Sequence, residues 1–166
     1  MKLYLALDNI RSAHNVGAIL RTAYGFELDG VVSIGITPHN KQPNDPRLPH
    51  VITKAEQRIA KTALGGEKLL GKHFTDYSEF KDWLTDSKRE PIAIEMTDRS
   101  EDITDFTPKM DTVLILGNEI DGVSNDLLAT AVKHLHIPIS KQKESYNVAS
   151  AAAICMYALH KQFAKL

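Results

Sequence analysis

Residues 136–154 read HIPISKQKESYNVASAAAI, a short apolar run, then a loop of charged and polar residues, then a stretch of almost only small side chains. The small residues continue as CMYAL, with little polar face before His160 and Lys161, which predicts a largely buried helix over residues 147–163. Ser145 and Asn147 are suited to cap it. Upstream, apolar runs at residues 3–7, 31–36, 91–96, 113–116 and 135–139 are short and mostly end in turn or polar residues, so they read as strands.

Between the runs lie helical patterns. Val16, Ile19, Leu20 and Ala23 share one helix face, Phe80, Trp83 and Leu84 mark a second helix, and Leu127, Leu128, Ala131 and Val132 a third. Thr53 and Glu56 have the spacing of a capping box ahead of AEQRIAKTAL. Apolar strands alternating with helices predict an α/β fold, a parallel sheet covered by helices on both faces. Residues 38–50, PHNKQPNDPRLPH, have four prolines and no periodicity, the mark of a long loop.

A chain of 166 residues is the size of one domain, and residues 1–166 are expected to form a single one. The only cysteine, Cys155, sits in an apolar segment, so neither a disulfide framework nor a cysteine-rich metal site is available, and a buried structural thiol is expected. No apolar run has the length of a membrane span, and Asp8 interrupts the N-terminal run too early for a signal peptide, which points to a cytoplasmic protein. With 20 Lys+Arg against 21 Asp+Glu, net charge does not favour non-specific nucleic-acid binding, so any such site must be a local patch.

In open parallel sheets ligands bind beyond the carboxyl ends of the strands, and three stretches stand there. In NIRSAHNVGAILRTA, Asn15 is placed to cap a helix, and Gly17 and Arg21 lie four apart on one face, where Arg21 reaches back over a bare surface toward an anion. In VLILGNEIDGVS a strand ends at Gly117, Ser124 is placed to cap the next helix, and Glu119 stands between Gly117 and Gly122 as an acceptor for hydroxyl or amino groups. The third stretch is residues 136–154. Each alone has a structural reading. Neither a dinucleotide fingerprint nor a phosphate loop is present, and the 7 histidines show no metal-ligand spacing.

Taken together, NVGAILR, LGNEIDGVS and IPISKQKESYNVASAAAICMYAL resemble, in order and spacing, the three signature motifs of the SpoU (TrmH-like) branch of the SPOUT RNA 2′-O-ribose methyltransferases. KTALGGEK at residues 61–68 resembles a segment of a bacterial subgroup. The resemblance spans essentially the whole chain. It implies a deep C-terminal trefoil knot, a homodimer, S-adenosylmethionine as cofactor, no metal, and methyl transfer to a ribose 2′-hydroxyl of tRNA or rRNA, with no separate RNA-binding extension.

By position it implies catalytic roles for Asn15, Arg21, Glu119, Ser145 and Asn147. It implies cofactor binding, largely through main chain, at Leu116, Gly117, Asn118, Gly122, Ile137, Ile139 and Tyr146. Lys141 stands where relatives usually have glycine, Tyr146 where they have leucine and Ala149 where they have serine. Lys141 and Ala149 favour an alternative, a non-catalytic RNA-binding or assembly protein that keeps the fold. A guanidinium is a poor base, so Arg21 is assigned first to a phosphate, and His14 is the rival for proton removal. RNA contact is expected from Lys41, Arg47, Lys54, Arg58, Lys61, Lys68 and Lys72.

Overall fold

The computed structural model describes residues 1–140, 142 and 145–163. Along the chain run β1 (Leu3–Asp8), α1 (Ala13–Gly25), β2 (Gly30–Ile34), α2 (Pro49–Ala63), β3 (Leu70–Phe74), α3 (Tyr77–Asp86), β4 (Glu90–Ile94), β5 (Glu101–Asp102), β6 (Thr112–Leu116), α4 (Asn125–Thr130), β7 (Lys133–His136) and α5 (Val148–Phe163). Among the described residues the seven strands form one sheet, ordered β3-β2-β1-β6-β4-β7-β5, and every pair in it is parallel.

Alternation sorts the strand residues between two cores. Leu3, Leu5, Leu7, Val31, Ile92, Leu114, Leu116 and Leu135 face α1, α2 and α5. Tyr4, Ala6, Val32, Ile34, Ala93, Val113 and Ile115 face α3 and α4. Because both faces are covered, all six residues of β1 are buried, and the strand reads as an apolar run rather than an alternating one. Cys155 is fully buried in the first core, and burial pushes its thiol up to about 12. No helix is long and apolar enough to cross a membrane among the described residues.

Several local expectations need correcting. Helix α2 begins at Pro49, a position where a missing N–H costs nothing, and its cap residue Leu48 makes no side-chain bond. Thr53 Oγ1 instead donates to the Pro49 carbonyl inside the helix at 3.0 Å, and Glu56 accepts from the Lys41 N–H at 2.9 Å, so the two form no capping box. The second strand stops at Ile34 because Gly35 has a φ of +63° and Asn9 Oδ1 takes the Ile36 N–H. Helix α4 ends at Thr130, and Ser124 precedes it without a capping bond.

Strand β3 escapes sequence reading because it is an edge strand with Gly71, Lys72 and half-buried His73 between two buried ends. Its partner on the open side is the proline-rich loop. Gln42 Nε2 donates to the Gly71 carbonyl at 3.2 Å and Gln42 Oε1 accepts the His73 N–H at 3.1 Å, so one side chain covers the edge. Arg47, expected to meet RNA, is spent inside this loop. It pairs with Asp45, at 2.8 Å from Nε and 2.6 Å from a terminal nitrogen, and donates to the His39 and Asn40 carbonyls, holding the Asp45 carboxyl well below its usual range.

The loop is closed by two stacked imidazoles, His39 on His73, with ring centres 3.5 Å apart. Burial first, then the neighbouring His39 and Arg47, pull the His73 pKa from 6.5 to about 4. A depressed folded value means that the neutral ring is favoured by folding, so the contribution is complete above about pH 6.5 and is lost as pH falls through about 4. Half-exposure reduces it to roughly 1 kcal/mol. Urea midpoints of the native protein are expected to drop between these pH values more than those of His73→Gln, and parallel curves would remove His73 as the group responsible.

Candidate active site

The carboxyl ends of β4, β6 and β7 open onto a cavity of about 400 Å³, closed on its far side by the start of α5. Strand β6 ends in a tight turn, in which Asn118 and Gly122 exchange two main-chain hydrogen bonds of 3.1 Å and Asn118 Oδ1 accepts the Ile120 and Asp121 N–H groups. Gly122 adopts a φ of +70°, and a Cβ there would also strike Glu95 Oε2. Gly117 is needed for a different reason. A Cβ on it would overlap the Gly122 carbonyl group and the Val123 nitrogen.

The cavity collects all seven residues expected to hold a cofactor, Leu116, Gly117, Asn118, Gly122, Ile137, Ile139 and Tyr146, together with Glu119 and Ser145. Tyr146 does more than present an apolar ring. Its hydroxyl donates to the Pro138 carbonyl at 2.9 Å, joining the two ends of the connection between β7 and α5. Lys141, the loop residue expected to mark a departure, lies outside the described residues, and Ala149 packs partly buried against the core.

Asn15 does not cap α1. Ser12 does, accepting the Asn15 N–H at 3.2 Å, which leaves the Asn15 side chain free. That amide donates to Glu119 Oε1 at 2.8 Å and accepts from Asn147 Nδ2 at 3.4 Å. Asn147 Oδ1 in turn accepts the Ala149 and Ser150 N–H groups, at 2.9 and 3.4 Å, and so caps α5. The helix cap therefore sets the direction of every amide in the chain Asn147–Asn15–Glu119 and fixes the carboxylate at its end. Glu119 Oε2 takes no hydrogen bond from the described residues.

Arg21 stays outside this group. It is exposed on α1, about 9 Å along the axis from Asn15 and a third of a turn around it. The surface at Gly17 over which it was to reach is filled by α2, since a Cβ there would meet the Thr62 hydroxyl and the Ile59 carbonyl. Arg21 has no hydrogen bond or ion pair among the described residues, a state open to an external anion.

Glu95 is the cavity residue that sequence reading missed. It follows β4 directly, lines the cavity, and ties the turn down by accepting the Val123 N–H at 3.0 Å. Ending the fourth strand at Ile94 rather than at residue 96 would have exposed it as a carboxylate at a strand end. With Glu119 and Asp121 it gives the lining three acidic side chains, and no lysine or arginine is present among the described lining residues. The three carboxylates suit a ligand that carries positive charge, and the aliphatic lining suits one with apolar area. No group of three potential metal ligands occurs among the described residues.

Comparison with known proteins fits this geometry. A tRNA (guanosine(18)-2′-O)-methyltransferase of Aquifex aeolicus is 26% identical over 163 residues, covering 96% of this chain and 69% of that protein. A putative TrmH family tRNA/rRNA methyltransferase of Staphylococcus haemolyticus is 24% identical over 161 residues, covering 94% of this chain but 57% of that protein, so the chain spans little more than half the length of that relative. The crystal structure of the SpoU methyltransferase AviRb from Streptomyces viridochromogenes, in complex with the cofactor AdoMet, superposes with a TM-score of 0.79 at 22% identity, over 98% of this chain and 58% of that one. Residues 2–157 match the model of the SpoU rRNA methylase family, and the chain belongs to that family.

Proposed function

We propose that this chain binds S-adenosylmethionine in the cavity and transfers its methyl group to a ribose 2′-hydroxyl of tRNA or rRNA. The observation that carries the reading is the cavity itself, apolar and acidic, free of cations among its described residues and bordered by the Asn147–Asn15–Glu119 chain. Ile137, Ile139 and Leu116 offer faces for an adenine, and Glu95, Glu119 and Asp121 offer acceptors for hydroxyl and ammonium groups. The cavity volume lies at the small end of the range for ligand sites, roughly 300–1,000 Å³. When bound, the cofactor supplies an electrophilic methyl group on a sulfonium.

The chain's own residues have then to align a hydroxyl and receive its proton. Glu119, held by Asn15, keeps one oxygen open to accept from a ribose hydroxyl, and this positioning supplies much of the rate. Arg21 holds a backbone phosphate, and Lys54, Arg58 and Lys61, exposed at spacings of four and three on α2, extend the positive surface along the RNA. We infer further that the C-terminal part of the chain is threaded as a trefoil knot. The insertion of β6 between β1 and β4, and the return of α5 to α1, support that reading.

The protein acts as a homodimer in the cytoplasm. Exposed Tyr157 and Ile154 on α5, with Tyr24 on α1, supply an apolar face for a second copy. Incubation with labelled S-adenosylmethionine and total tRNA or rRNA, followed by mapping of 2′-O-methyl sites, tests the activity. Calorimetric titration of the cofactor alone separates the enzyme from a non-catalytic RNA-binding protein. Arg21→Ala is expected to raise the KM for RNA about tenfold, and His14→Ala to leave turnover within about twofold. Loss of turnover in His14→Ala with retention in Arg21→Ala would reverse the two roles.

A further inference from the structure

On the other side of the Asn118–Gly122 turn lies a second cavity of about 300 Å³, at the carboxyl ends of β1 and β2. Asp8 and Asp121 line it as well, and it differs from the first in carrying a cation. Arg11 stands in its wall, exposed and with no hydrogen bond or ion pair among the described residues. Ile36, 64% exposed, presents a bare apolar side chain to the same space. Ser124 Oγ is buried there without a hydrogen-bond partner, although a buried hydroxyl ordinarily finds one.

Neither carboxylate of the lining pairs with Arg11 or Ser124 Oγ, and Asp121 Oδ2 accepts only the Asn118 amide, at 3.4 Å, among the described residues. Asp8, the nearest buried carboxylate, already accepts the Ser124 N–H at 2.8 Å, the Asn9 amide at 2.8 Å and the Tyr77 hydroxyl at 3.4 Å. Asn9 is held in a left-handed conformation, φ +53°, by that bond and by the Ile36 N–H, at 3.1 Å on Asn9 Oδ1, so the rim carrying Ile36 is fixed to the strand end. A free guanidinium, a bare aliphatic face and an unpaired hydroxyl within one cavity match the three parts of a nucleotide, its phosphate, its base and its sugar or base edge.

We propose that this second cavity binds a nucleotide of the RNA next to the one that is methylated, with Arg11 on its phosphate, Ile36 against its base and Ser124 Oγ on a polar edge. The proposal rests on the activity proposed above, because it takes RNA as the substrate. The two cavities share the Asn118–Gly122 turn as a common wall, which places a nucleotide here beside one presented to Glu119. Asp121 lines both cavities, so what separates their occupants is Arg11, a cation with no counterpart among the described lining residues of the first.

The test titrates the four ribonucleoside 5′-monophosphates into the full chain by NMR, and S-adenosylmethionine by calorimetry, for the native protein, Arg11→Ala, Arg11→Lys and Ile36→Ser. Nucleotides are expected to shift the amides of Asn9, Ile36 and Ser124. Arg11→Ala is expected to weaken that binding about tenfold and Ile36→Ser about fivefold, with partial recovery in Arg11→Lys and cofactor affinity within about twofold of native. The KM for RNA should rise in step, with kcat at saturating RNA little changed. Nucleotide shifts confined to the first cavity, or native affinity in both Arg11→Ala and Ile36→Ser, would overturn the proposal. Arg11-dependent nucleotide binding in a protein that methylates no RNA would uphold this site while removing the proposed activity.

Discussion

A Gly117→Ala protein is expected to lose measurable S-adenosylmethionine binding and to melt roughly 6–12 °C below the native protein, the shift corresponding to about 3 kcal/mol in a chain of this size. The added methyl group has nowhere to go. It would overlap the Gly122 carbonyl and the Val123 nitrogen, both main-chain groups, so no rotamer change relieves the contact. The turn would have to move away from β6, breaking the paired bonds between Asn118 and Gly122 and the bond from Val123 to Glu95. Those bonds shape the cavity floor, which is why one methyl group is expected to cost both stability and binding. Cofactor calorimetry and thermal unfolding read the two losses separately, and native-like values in both would show that the turn does not form the floor of the site.

Turnover at saturating cofactor is expected to fall about a hundredfold in Glu119→Ala, to fall nearly as far in Asn15→Ala, and to fall no further in the double variant. The reason is the order of the hydrogen-bond chain. Asn147 is oriented by the first turn of α5, Asn15 by Asn147, and Glu119 by Asn15. Removing Asn15 leaves the carboxylate present but undirected, and removing Glu119 leaves Asn15 with nothing to direct, so the two losses share one cause and do not add. Glu119→Gln keeps an oxygen for the Asn15 amide and is expected to retain more activity than Glu119→Ala. Additive effects in the double variant would show that Asn15 acts on the RNA by itself.

Strands buried on both faces were legible as apolar runs, and five of the seven were placed within a few residues. The other two are edge strands. In β3 only Leu70 and Phe74 are buried, and β5 has two residues, so neither displays a periodicity. The lining of the first cavity could be gathered from sequence because two of the three spaced motifs mark the ends of β6 and β7 and the start of α5, which meet there. Asn15, Glu119 and Asn147 were singled out separately, but their joining depends on contacts across 104 and 132 residues of sequence, which no local pattern encodes. Glu95 was missed because it belongs to no motif, and Arg11, although it stands in NIRSAHNVGAILRTA, was passed over for Asn15 and Arg21; each becomes visible only when the end of its strand is known.

The position of β6 has a consequence for how the molecule is made. It pairs residues 112–116 with residues 3–7 on one side and with β4 on the other. As the chain leaves the ribosome, β1, β2 and β3 can assemble with α1 and α2 into a half-sheet. Strand β4 emerges next, yet no neighbour exists for it until β6 has been synthesised and has entered the gap. The two halves of the sheet therefore close late, through the most distant pairing in sequence, and such loop-closure demands slow folding and lengthen the exposure of an apolar edge.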